Sequence, residues 1–88
     1  MIEGKTKAGF EYRLEDDIAD DMELLEGFID LDNGEWRGIK KTIAKLLGEE
    51  QKNALYDFYR GENGRVKASV IMEAVGEILA AAQGNLKN

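Results

Sequence analysis

The sequence predicts a small, mainly α-helical α+β fold: an N-terminal β-hairpin followed by about four short amphipathic helices in a single bundle. Three observations carry this reading. Phe10, Tyr12 and Leu14 alternate with Glu11 and Arg13, the two-residue period of a half-buried strand. Downstream, apolar residues recur at steps of three and four, the helical period. The chain has 88 residues, 43% hydrophobic and 34% charged, which suits one small domain and differs from a disordered composition.

Each element follows from local patterning. The strand at 10–14 takes 2–7 as its partner through a turn at Ala8-Gly9, making a hairpin over residues 1–14. A lone two-stranded ribbon is marginal in water, so it must lie on helices or pair with another chain. Helix one is expected over residues 17–30, capped by Asp16 or Asp17. Ile18, Met22, Leu25 and Ile29 make one apolar stripe, widened by Leu24, Phe28 and Leu31. Asp20, Glu23, Glu26 and Asp30 take the other half of the wheel. Gly27 costs this helix about 1 kcal/mol against Ala, and Asn33-Gly34 stops it.

Helix two is expected over residues 35–47. Trp36, Ile39, Ile43, Leu46 and Leu47 share one face, opposite Arg37, Lys40, Lys41 and Lys45, and Gly48 forms the C-cap. Helix three begins at Glu49 and ends near Arg60, with Leu55, Phe58 and Tyr59 inward and Tyr56 pointing elsewhere. A loop at 61–64 leads to helix four over residues 68–83, carried by Val70, Ile71, Ala74, Val75, Ile78, Leu79 and Ala82. The bundle thus covers residues 15–83, and 84–88 reads as a frayed, disordered tail. No linker divides the chain, so residues 1–88 read as one domain.

Composition narrows function. With no Cys there is no disulfide framework, thiolate zinc site or thiol nucleophile. With no His the commonest general base and transition-metal ligand are missing. The Asp30–Gly34 loop fails as an EF-hand: with Gly34 at position six, Ile29, Leu31 and Lys41 fall where oxygen ligands belong. Gly61-x-x-Gly64-Arg65 lacks the Gly-Lys-Thr/Ser ending of a P-loop. We therefore expect no enzyme, no cofactor and no metal. No apolar run approaches the roughly 20 residues of a membrane span, and Met1-Ile2-Glu3-Gly4-Lys5 opens no signal-peptide core. A cytoplasmic protein without a membrane partner is expected.

The formal charge of −6 is unevenly spread: residues 1–30 hold ten acidic side chains against three basic ones. Phosphate binding needs clustered Lys and Arg, so nucleic acid is not an expected partner. The acids at 15–23 read as a solvated, dipole-matched face, in part offset by the basic face of helix two. Trp36, Phe58 and Tyr59 read as core. Met22, Tyr56 and Met72 are surplus to the tidiest stripes, and surplus apolar surface marks a protein partner or self-association. The candidate protein-binding residues are Met22, Glu23, Glu26, Tyr56 and Met72.

The run Leu46-Leu47-Gly48-Glu49-Glu50-Gln51-x-x-Ala54-Leu55, the Gly64-Arg65-Val66 loop and the amphipathic last helix form a recognisable order. With Gly9-Phe10 and Asp20-Asp21-x-x-Leu24-Leu25, this order resembles the small tail assembly chaperones of long-tailed, siphovirus-like phages and prophages of Gram-positive bacteria. The resemblance spans residues 6–80. It departs at Lys67, where relatives often carry Pro, which loses a helix-start marker.

The resemblance implies a non-enzymatic chaperone that binds the tape measure protein, together with tail tube subunits, in the host cytoplasm. It also implies a longer product made by −1 frameshifting, with which Leu86-Lys87-Asn88 is compatible. A homo-oligomer is open through the hairpin edge. The alternative is an acidic regulatory protein of the DNA-mimic type that inhibits a DNA-binding factor, motivated by the carboxylates of helix one.

Overall fold

Strands β1 (Ile2–Lys5) and β2 (Glu11–Leu14) pair antiparallel, with Ile2 opposite Leu14 and Lys5 opposite Glu11. The computed structural model describes residues 1–86. Alternation along β2 works as the sequence predicts: Tyr12 and Leu14 are buried while Glu11 and Arg13 face water. The first strand ends sooner than expected, because Thr6 already belongs to the turn. Its N–H donates to the Phe10 carbonyl and its carbonyl accepts from Gly9, whose φ of +105° only glycine adopts freely. Gly4 faces Tyr12 across the ladder, and a Cβ there would come within 2.6 Å of Tyr12 Cζ.

A single 3-10 turn (Ile18–Asp20) precedes helix α1 (Met22–Asp32). This corrects the expected helix over 17–30. Asp17 makes no capping bond; Asp21 is the N-cap, its Oδ1 accepting from the Leu24 N–H at 3.0 Å. Asp21 is extended, at φ −102° and ψ 116°, and this separates Ile18 from the α1 wheel. The buried stripe is consequently Leu24 and Leu31 with Phe28 partly buried; Ile29, expected inside, is exposed, and so is the candidate binding residue Met22.

Helix α2 (Ile39–Leu47) follows an N-cap at Gly38 and so starts four residues later than predicted, which leaves Trp36 in the preceding turn and half-exposed. The turn is closed by the Glu35 N–H on the Asp30 carbonyl and the Ile39 N–H on the Trp36 carbonyl. Gly48 (φ +84°) breaks the chain between α2 and α3 (Glu49–Phe58). Phe58, expected in the core, is half-exposed. It lies edge-on to Phe10 (centroids 5.6 Å apart) and to Tyr59 (4.9 Å) beside the hairpin turn. Helix α4 (Ala68–Leu86) continues through residues 84–86, which were expected to be frayed. Residues 87 and 88 of the expected tail lie outside the described residues.

The core is one cluster. Tyr12 and Leu14 of the sheet and Ala19 of the 3-10 turn meet Leu24, Ile43, Leu46, Leu47, Leu55 and the α4 row Ile71, Ala74, Val75, Ile78 and Ala82. Leu24, Ile43, Leu55, Val75 and Ile78 are fully buried; each stabilises the fold by roughly 1.5–3 kcal/mol. Side-chain bonds then fix the hairpin to the helices. Gln51 of α3 donates to the Arg13 carbonyl at 2.7 Å and accepts from the Arg13 N–H at 2.8 Å, acting as a one-residue third strand on β2. The Thr6 hydroxyl meets the Tyr59 hydroxyl at 2.7 Å, and Glu77 of α4 accepts from the Lys7 N–H at 3.2 Å.

Candidate functional site

Two surfaces carry the candidate residues. The first is a shallow apolar groove of about 180 Å3 where α2, α3 and α4 meet, lined by Ile39, Ile43, Tyr56, Val66, Ile71 and Met72. The structure brings the candidate residues Tyr56 and Met72 onto this one groove. Tyr56 does not point away from the core as expected; it packs partly against it. Lys52, one turn earlier, lies against its ring. Its side chain is almost fully buried, and its Nζ sits 4.9 Å from the Tyr56 ring centroid, 3.2 Å from Glu49 Oε1 and 3.3 Å from Asn53 Oδ1. The cation over the ring holds Tyr56 in place at the groove wall. A charged residue on a polar helix face gave no sequence signal for this, because Lys usually reaches water.

The second surface is α1. Its eleven residues include four acids and no base. At 100° per residue the helix has three arcs. Leu24, Gly27, Phe28 and Leu31 face inward. Glu23, Glu26 and Asp30 form an acidic arc. Met22, Leu25 and Ile29 form an outer apolar arc, on which Met22 is 69% and Ile29 57% exposed. The Gly27 position selects the inner arc. A Cβ there would lie 2.8 Å from Thr42 Cγ2, so α1 and α2 approach closely along this line.

Lys45 of α2 reaches Asp21 (3.7 Å) and Glu23 (3.4 Å), so the two helices do offset part of each other's charge. Both are surface pairs worth about 0–1 kcal/mol each. Glu23 and Glu26 line a cleft with Asp30, Lys41, Thr42 and Lys45. Glu26, Asp30 and Asp32 form no ion pair among the described residues. Asp30 and Asp32 lie in the last turn of α1, against the negative end of the helix dipole, at a cost of about 0.3–1 kcal/mol each.

The arrangement offers apolar and acidic contact. Among the described residues no group of three carboxylates could hold a metal ion, and no helix is long and apolar enough to cross a membrane. Ile29, Trp36 and Phe58 are exposed apolar residues that sequence reasoning placed inside. For Ile29 the available signal was Asp21-x-x-Leu24, a cap spacing that moves the helix start and turns the wheel. Compared with known proteins, the chain matches no family model, no curated protein and no solved structure.

Proposed function

We propose that this chain is a non-enzymatic protein-binding module, a phage or prophage tail assembly chaperone that engages the tape measure protein and tail tube subunits in the host cytoplasm. The observation that carries the reading is the groove in which Tyr56 and Met72 meet. An apolar slot between three helices, with an aromatic wall held by Lys52, suits insertion of side chains from one face of a partner helix. The segments behind the resemblance have consistent roles. Leu46 and Leu47 fill the core, Gly48 turns the chain, Gln51 fastens the hairpin and Asp21 caps α1.

The gene's surroundings supply one test. The reading expects a slippery heptamer at Leu86-Lys87-Asn88, an overlapping −1 frame and a long helical gene just downstream. A lone gene beside regulators would count against it. A second test is alanine replacement of Tyr56 and Met72. Loss of tape-measure solubilisation with the fold intact is expected; unchanged solubilisation would remove the groove as the contact.

A second reading, an acidic inhibitor that mimics DNA, draws on the carboxylates of α1 that lack ion pairs. Binding of that kind weakens steeply as salt rises, whereas apolar contact persists.

A further inference from the structure

We propose that the outer face of α1 is a docking site for a basic amphipathic helix of a partner protein. The proposal rests on the reading that this chain works by binding protein, and it names a second surface and the chemistry of what covers it. Met22, Leu25 and Ile29 recur at i, i+3 and i+7, a complete apolar stripe on a helix whose other apolar stripe already fills the core. Such spacing is the pattern by which one helix lies along another. The stripe is bordered by Glu26 and Asp30 on one side and Asp32 on the other. These carboxylates make no ion pair within the described chain. Two of them oppose the helix dipole, so the isolated fold gains nothing from them. A partner helix carrying Lys or Arg beside its own apolar row would satisfy both stripe and border.

Charge decides among the occupants. A second copy laid on this face would set carboxylates against carboxylates, because α1 carries no basic residue. An anionic membrane surface would be repelled by the same border. A helix with a neutral polar face would leave the acids unanswered. At about 16 Å, α1 offers about three turns of contact.

The test uses the full chain and two synthetic amphipathic helices of roughly 18 residues. Both carry the same leucine stripe, one flanked by Lys and the other by Glu. Backbone amide spectra recorded during titration report the contact. The expected result is saturable shifts centred on Met22, Leu25 and Ile29 with the lysine peptide and none with the glutamate peptide. Met22→Ser with Ile29→Ser changes only exposed side chains, and it is expected to weaken binding at least about tenfold. Glu26→Lys with Asp30→Lys and Asp32→Lys is expected to exchange the preference between the two peptides. Lysine-peptide shifts confined to Tyr56 and Met72 would overturn the α1 assignment while leaving the protein-binding reading intact. Absence of binding to either peptide would also overturn it, and the tape-measure assay would then judge that reading separately. A dimer in sedimentation that Met22→Ser with Ile29→Ser dissociates would assign the face to a second copy instead.

Discussion

Replacing Gly27 by Ala is expected to destabilise the protein, although helix propensity alone predicts the opposite. Mid-helix Gly to Ala gains about 0.5–1 kcal/mol through backbone entropy. The structure supplies a larger opposing effect. A Cβ on Gly27 would lie 2.8 Å from Thr42 Cγ2 and 3.1 Å from Thr42 Cβ. Thr42 is buried and β-branched within α2, so rotation about χ1 relieves little, and rotation never moves the Cβ. Overpacking of this kind costs roughly 1–3 kcal/mol, leaving a net loss of up to about 2.5 kcal/mol, and about 1 kcal/mol at mid-range. For a domain of this size that is a fall in Tm of about 4–8 °C per kcal/mol. Urea unfolding followed by far-ultraviolet circular dichroism measures it. Thr42→Ala removes Oγ1 and Cγ2 and leaves only the 3.1 Å approach, so in that background the cost of Gly27→Ala should drop by at least half. A stabilised Gly27→Ala single variant would refute the close approach of α1 and α2 and, with it, the choice of inner face.

Three further outcomes follow from named contacts. Gln51→Ala removes both bonds to the open edge of β2 and should cost about 1–3 kcal/mol, with faster amide exchange at Arg13 as the local readout. Lys52→Ala removes a buried aliphatic stem and should destabilise by about 1–3 kcal/mol, whereas Lys52→Met keeps the stem and should stay within about 1.5 kcal/mol of wild type in the same unfolding assay. Burial, and secondarily the nearby Glu77 carboxylate, raise the Tyr12 phenol above its usual 10.0. The folded state therefore holds that proton where the unfolded chain has released it. This contribution is complete below pH 10 and is lost as pH climbs through the raised value. Unfolding free energy should fall in that alkaline window, and Tyr12→Phe should flatten the fall.

The sequence announces the hairpin and the four helices because each is written in local periodicity and turn residues. Tyr12 and Leu14 alternate inward, Gly48 breaks α2 from α3, and the α4 row packs as its spacing requires. Rotation of α1 is harder to read. Ile18, Met22, Leu25 and Ile29 form as good a stripe as Leu24, Phe28 and Leu31. The choice between them depends on a cap at Asp21 and on the small Gly27 beside Thr42, the second of which is a tertiary contact. Trp36 is misread for a related reason: a helix begun at 35 places it inward, but the bond from the Glu35 N–H to the Asp30 carbonyl keeps that segment in a turn. Of the site, Tyr56 and Met72 are legible as surplus apolar residues. The buried lysine that sets the Tyr56 ring is not, because its burial comes from its neighbours and not from its own chemistry.

Binding of a helical protein through apolar surface is the function proposed for this chain. The most direct measurement is co-expression with a long helical tape measure protein, the proposed partner, followed by size-exclusion chromatography at about 0.1 M and about 1 M salt, where the screening length falls from about 10 Å to about 3 Å. The expected result is a partner that becomes soluble and co-elutes with this chain at both salt concentrations. A partner that stays insoluble, or a complex that forms at low salt and dissociates completely at high salt, would contradict it.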